Sequence, residues 1–279
     1  MSTKKVWFVT GASKGLGLTL VKKLIAEGYS VAATSRNISE LQKVISAENS
    51  EFLPLEVDLV NENSVSEAIS KAVEKFGKLD VIVNNAGYGQ LGTLEELTDK
   101  ESRQNFDTNV FGSLNVIRKS MPYLRAQKSG LVINIASIGG LTGDFPGWGI
   151  YCATKFAVVG FTEGLAAEAK EFGVNATVVY PGYFRTEFLT GGSLRTPENE
   201  IDAYTMTRQI QKAHEQDING NQPGDPEKAA VALVELAAME NPPVHLVLGS
   251  DAFQMANNKL STLQNEISDF KTLSISTDY

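Results

Sequence analysis

Short, wholly apolar runs alternate with longer segments whose apolar positions recur at helical spacing. That switch in period repeats along almost the whole chain. The runs are Val6–Val9, Val31–Thr34, Phe52–Val57, Val81–Val83, Leu131–Ile135, Ala176–Tyr180 and Val244–Leu248. Strands that are apolar along their whole length need cover on both faces, which a parallel sheet between two helical layers provides. The pattern therefore predicts an α/β fold, a doubly wound parallel sheet of about seven strands with helices on both faces. No linker-like stretch, charge block or repeat interrupts it, so residues 1–279 read as a single domain. One segment breaks the rhythm: residues 183–223 are long, polar and aromatic with no clear strand, as expected of a substrate lid. The tail after about residue 270 reads as loosely held.

Composition narrows the class of ligand. A net charge of -8 and a pI near 5.0 do not supply the positive field that nucleic acid or an anionic membrane requires. With a single cysteine, Cys152, no internal disulfide can form, and His214 and His245 lie too far apart in sequence to suggest a metal site. The Val6–Val9 run is too short for a signal-peptide core, and the apolar stretch Ala229–Met239 falls short of a membrane span. The expectation is a cytoplasmic chain with no metal, nucleic-acid or membrane partner.

Directly after the first strand comes Thr10-Gly11-Ala12-Ser13-Lys14-Gly15-Leu16-Gly17, leading into a helix. Glycines in such a turn allow a diphosphate to approach the backbone, and the free N–H groups and dipole of the helix N-terminus bind it. The spacing differs from G-x-G-x-x-G. At the end of the second strand stands Thr34-Ser35-Arg36, with no carboxylate at the position that would hold a ribose 2'-hydroxyl. A guanidinium suits a 2'-phosphate instead, and Lys14 can add a second positive contact. NADP is thus favoured over NAD; the ordinary alternative is that both are solvated surface charges.

Tyr151 and Lys155 are spaced to share one face of a helix. Moving a tyrosine from a pKa of about 10 to about 7 takes roughly 4 kcal/mol. One ammonium about 4 Å away at an effective dielectric of about 20 supplies that much. Such a phenol can exchange a proton with a carbonyl oxygen while hydride moves. Ser137 follows the strand Leu131–Ile135 at its C-terminal end, where open α/β sheets bind ligands; it reads equally as a turn residue before Gly139-Gly140.

Together these residues resemble the short-chain dehydrogenase/reductase family, over nearly the whole chain from Val6 to Leu248. Thr10–Gly17 is similar to its T-G-x-x-x-G-x-G, Asn84–Gly87 to N-N-A-G, Tyr151–Lys155 to Y-x-x-x-K, and Pro181–Thr186 to P-G-x-x-x-T. The resemblance implies a Rossmann-type sheet and a tetrad of Asn109, Ser137, Tyr151 and Lys155. In it Lys155 also bonds the nicotinamide ribose, and Asn109 holds a water continuing the proton path. It further implies that Gly11, Ser13, Lys14, Gly15, Leu16 and Gly17 meet the diphosphate and that Asp58 and Leu59 meet the adenine. Asn85, Ala86 and Gly87 line the adenosine ribose, and Pro181, Gly182, Phe184 and Thr186 lie on the nicotinamide side. Phe184 departs from the pattern, where a smaller aliphatic residue is usual, and Asp58 also fits a helix cap or turn.

Cys152, His214 and His245 read as structural or surface residues. Phe184, Phe188, Leu189, Tyr204 and Met206 are candidates for lining the lid, with core packing as the alternative. The implied activity is an NADP-dependent oxidoreductase on a ketone, aldehyde or secondary alcohol. A non-catalytic NADP-binding regulator or scaffold is the contrasting class, and the Gly11/Gly15 spacing speaks against the family's epimerase and dehydratase branch. A homo-oligomer, dimer or tetramer, is also implied, with an interface on the helices around Phe106–Met121 and Tyr151–Phe172.

Overall fold

The computed structural model describes residues 4–44, 50–189 and 192–279. Every expected run becomes a strand: β1 (Val6–Val9), β2 (Ser30–Ser35), β3 (Phe52–Glu56), β4 (Val81–Asn84), and, past a two-residue strand β5 (Gly89–Gln90), β6 (Gly130–Ile135) and β7 (Val174–Pro181). Beyond a second two-residue strand, β8 (Leu194–Arg195), lies β9 (His245–Leu248). The main sheet has seven strands in the order β3-β2-β1-β4-β6-β7-β9, every neighbouring pair parallel. Pro54 sits on β3, the edge strand, where a missing N–H costs least.

The helices are α1 (Gly15–Ala26), α2 (Ile38–Val44), α3 (Glu62–Phe76), α4 (Asp99–Phe106), α5 (Gly112–Gln127), α6 (Gly149–Ala169), α7 (Thr205–Lys212), α8 (Pro226–Ala238), α9 (Ser250–Asp269) and α10 (Lys271–Ile275). Strand alternation divides the core between two layers. On β1, Trp7 and Val9 pack with Leu20 and Leu24 of α1 and Leu233 and Leu236 of α8. On its other face Val6 and Phe8 pack with Ile69 of α3, Val116 of α5 and Leu165 of α6. Side chains start several helices cleanly: Asn61 accepts from the N–H groups of Asn63 and Ser64, and Thr98 and Glu101 form a reciprocal capping box.

The chain leaves β1 toward β2 and β3, then crosses back to β4, so a crevice opens beyond the C-terminal ends of β1 and β4. Between α4 and α5 the helix widens into a π-turn over Asp107–Phe111, an irregularity that often marks functional positions.

Two expectations need correction. Residues 183–223 contain regular structure: β8 pairs with β5, and α7 runs on into a π-turn at Ala213–Ile218. After β9 the chain forms the 20-residue α9, not anticipated from sequence, and the tail beyond it forms α10, exposed throughout. Among the described residues no helix is long and apolar enough to cross a membrane, and no His, Cys, Asp and Glu cluster has metal-binding form.

Candidate active site

The crevice is a cavity of about 840 Å³, within the size range of small-molecule sites. One end is the glycine turn. Gly11 has φ +64, and a Cβ there would lie 2.7 Å from the Ala86 Cα. At Gly17 a Cβ would lie 2.4 Å from Asn85 Nδ2. Asn85 Nδ2 donates to the carbonyls of Thr10 and Gly11, tying this turn to the end of β4. Gly11, Ser13, Lys14, Gly15 and Leu16 line the cavity, whereas the space Gly17 leaves is taken by Asn85. Gly17 therefore serves close helix–strand packing.

Whether these residues suit a dinucleotide can be tested on α1 itself. Its first turn has no side-chain cap and no acidic residue, and it opens into the cavity. By contrast α3, α4 and α8 all start with capping side chains. An uncapped helix N-terminus facing a cavity suits an anionic diphosphate. Further along, Arg36, Asn37, Glu40, Asp58 and Leu59 line the wall, with Arg36 and Asp58 exposed at the rim. Asp58 Oδ1 accepts from the Val60 N–H at 3.1 Å, the turn role its sequence position allowed.

The other end brings Ser137, Tyr151 and Lys155 together. Lys155 Nζ donates to the Ile135 carbonyl at the end of β6 at 2.9 Å and lies 5.7 Å from the centre of the Tyr151 ring. Ser137 starts the turn at Ile138–Gly140 by accepting from the Gly139 N–H. Burial pushes the Tyr151 hydroxyl well above the ordinary tyrosine value, against a smaller lowering by Ser137. Lys155 is driven down to about 8, again by burial. Burial is the dominant influence on the phenol in the protein alone, and Lys155 is not among the groups that shift it.

Asn109 is fully buried, outside the cavity lining, and its carboxamide is committed to protein groups. Its Oδ1 accepts from the Tyr88 N–H, and its Nδ2 donates to the Tyr88 carbonyl and to Thr154 Oγ1. Thr154 in turn donates to the Tyr151 carbonyl. The side chain thus helps to fix the start of α6.

Pro181, Gly182, Phe184 and Thr186 line the cavity beside this corner, and Asp251 holds the turn by accepting from the Tyr183 N–H at 2.7 Å. Beyond them the wall is aromatic. Trp148 lies edge-on to Tyr151, with centroids 5.4 Å apart, and the His214 ring is 5.2 Å from Trp148. His214 is buried, in keeping with its reading as a structural residue, and it lines the cavity as well. Its Nδ1 faces the Ile210 carbonyl and so carries the hydrogen; in the neutral ring Nε2 then accepts from the Tyr183 hydroxyl at 3.0 Å. The Tyr183 oxygen keeps its acceptor capacity.

Phe184, Phe188 and Leu189 line the cavity as anticipated for lid residues, whereas Tyr204 and Met206 do not. Tyr204 donates to Glu95 instead, and Met206 is exposed. Cys152 is buried in the wall, its thiol pushed up to about 11 by burial, consistent with packing over reactivity. His245 is exposed and pairs with the Tyr180 hydroxyl. Trp148, Tyr183 and Gln222 also reach the wall; Trp148 lies just before the Y-x-x-x-K segment and Tyr183 within P-G-x-x-x-T, whereas Gln222 carried no positional signal.

Comparison with known proteins agrees with this geometry. Residues 5–194 match the short chain dehydrogenase family. Oxidoreductase BOA17 of Botryotinia fuckeliana is 32% identical over 97% of this chain and 98% of its own length. A short-chain dehydrogenase from Streptomyces avermitilis superposes with a TM-score of 0.88 at 34% identity, covering 98% of this chain and 100% of that one. ElxO with NADP bound gives a TM-score of 0.74 at 28% identity over 90% of this chain and 99% of that one. A Burkholderia phymatum short-chain dehydrogenase/reductase in complex with NAD gives 0.78 at 25% identity over 96% and 95%.

Proposed function

We propose, since the chain belongs to the short chain dehydrogenase family, that it is an NADP-preferring oxidoreductase in which Tyr151 exchanges a proton with the oxygen of a ketone, aldehyde or secondary alcohol. The observation that carries this reading is the meeting of Ser137, Tyr151 and Lys155 in one cavity with an uncapped helix N-terminus at its other end. A bound nicotinamide dinucleotide supplies or accepts the hydride. Ser137 holds the substrate oxygen. Tyr151, kept protonated by burial, is in the right form to donate as a carbonyl is reduced. Lys155 is anchored by the Ile135 carbonyl with donors left for a ribose hydroxyl. Asn109 acts through Thr154 and Tyr88 as a positioning residue.

Arg36 and Lys14 support the preference for a 2'-phosphate, although Glu40 lines the same wall. Assaying a panel of carbonyl substrates with NADPH and NADH side by side tests this. Arg36→Ala is expected to cost NADPH about tenfold to a hundredfold in KM, the worth of a charge-assisted bond, and to leave NADH little changed. Equal use of both cofactors by the parent protein would remove the preference. Binding without turnover across the panel would favour a regulator. Phe111 and Phe156 are exposed beside α5 and on α6, in keeping with an oligomer interface there; sedimentation of a monomer alone would contradict it.

A further inference from the structure

Helix α9 leaves the body after its second turn. Ala252 and Ala256 are buried, but every residue from Leu260 onward is exposed. Its apolar side chains nevertheless follow a strict rhythm. Phe253, Ala256, Leu260, Leu263, Ile267 and Phe270 alternate steps of three and four, and the five large ones are 42% to 64% exposed. That stripe is the narrow seam of a coiled coil; a helix packed on a globular core shows a wider apolar face. The polar positions are mostly Ser, Thr, Asn and Gln, with Lys259 as the one cation within α9, so the basic face of a membrane-surface helix is missing.

We propose that a second copy of this chain covers the seam, with the two α9 helices packed antiparallel. In the register that sets Leu260 against Leu263 of the other copy, Phe253 meets Phe270 and Ala256 meets Ile267, so each seam position has a counterpart. The same register brings Lys259 beside the partner's Glu266 at both ends of the two-fold, within α9 itself; in the parallel arrangement Glu266 meets only Lys271, beyond the end of α9. There Lys259 faces an uncharged Gln264. Ala256, the one small seam residue, is set against a branched side chain and not against itself, which lets the layers interdigitate. Five large side chains that each bury on the order of 100 Å² or more, with the stems of their polar neighbours, approach the roughly 800 Å² per partner of a stable interface. This surface is separate from the α5 and α6 face and independent of the catalytic reading.

Sedimentation of the full chain and of Leu260→Asp/Leu263→Asp tests the proposal, with circular dichroism and NADPH titration to show that the body stays folded. The substitution is expected to halve the assembly's mass at micromolar concentration. Lys259→Glu is expected to weaken association several-fold, and Lys259→Glu/Glu266→Lys to restore it. An unchanged mass in the seam variant would overturn the proposal, as would a parent protein that is monomeric throughout. Flotation of the parent with neutral phosphatidylcholine vesicles, lost in the seam variant, would assign the seam to a lipid surface instead. Failure of the charge swap to rescue would overturn the antiparallel register.

Discussion

At the glycine end of the cavity, the wall is made of strand ends and a helix start locked together by close backbone approach and by Asn85. At the aromatic end, the segment from Tyr183 to Gln222 is clamped to the body by side chains. Glu96 accepts from the Ile201 N–H and pairs with Arg208, and Glu101 accepts from the Glu198 N–H. Steric fit holds the first region and two carboxylates hold the second. The first is therefore the less sensitive to pH, and the second, which leans on two carboxylates, the more sensitive. A glycine end held by backbone packing alongside an aromatic end held by side-chain clamps lets one change without the other.

The largest separation between the regions is expected from Tyr151→Phe. Loss of the proton donor should lower turnover by about 10²- to 10⁴-fold while the NADPH dissociation constant stays within a few-fold. A comparable loss of binding would mean that the phenol holds cofactor and is not the donor. Next in size, Gly17→Ala places a methyl 2.4 Å from Asn85 Nδ2 and should cost roughly 1–3 kcal/mol of stability together with NADPH affinity. Thermal melts with and without NADPH read both, and an unperturbed variant would show that this end is not held by fit.

At the other end, Glu96→Gln weakens a buried clamp by removing one of the two carboxylates that pair with Arg208, the other being Glu200. The expected result is a several-fold rise in substrate KM and faster proteolysis between residues 183 and 223, with NADPH affinity unchanged. The smallest effect is that of acid. Burial alone raises the Glu96 carboxyl, but the N–H groups of Ile201 and Thr93, the Thr93 hydroxyl and Arg208 together take it below its ordinary value of 4.5. Glu101 moves the same way: burial raises it, and Thr98 and the Glu198 N–H more than compensate. Folded values below the unfolded ones give stability that is present above the unfolded value and lost as pH falls through the folded one. Proteolysis of the segment should thus accelerate below about pH 4.5 before the sheet unfolds, and simultaneous loss of both would erase the distinction.

Legibility in sequence follows the same division. Strands, the turn at Gly11–Gly17 and the Tyr151/Lys155 pair are local patterns, because sheet packing and helix spacing act over a few residues. Glu96 and Arg208 are 112 positions apart and Tyr183 and His214 are 31 apart, so no local period announces either contact. The role of Asn109 was hidden for a related reason, since only the π-turn and Thr154 show what its carboxamide touches. Helix α9 was masked by composition: Ser, Thr and Asn on its polar side are weak helix formers, although the three-and-four spacing from Phe253 to Phe270 was there to be read.

For the proposed proton transfer, Tyr151 must face the reacting end of a bound dinucleotide. A crystal structure of the NADPH complex tests this directly. The prediction is the diphosphate at the N-terminus of α1 and the nicotinamide ring beside Ser137 and Tyr151, with room for one carbonyl between ring and phenol. A nicotinamide ring placed at the Arg36 end, or turned away from Tyr151, would contradict it.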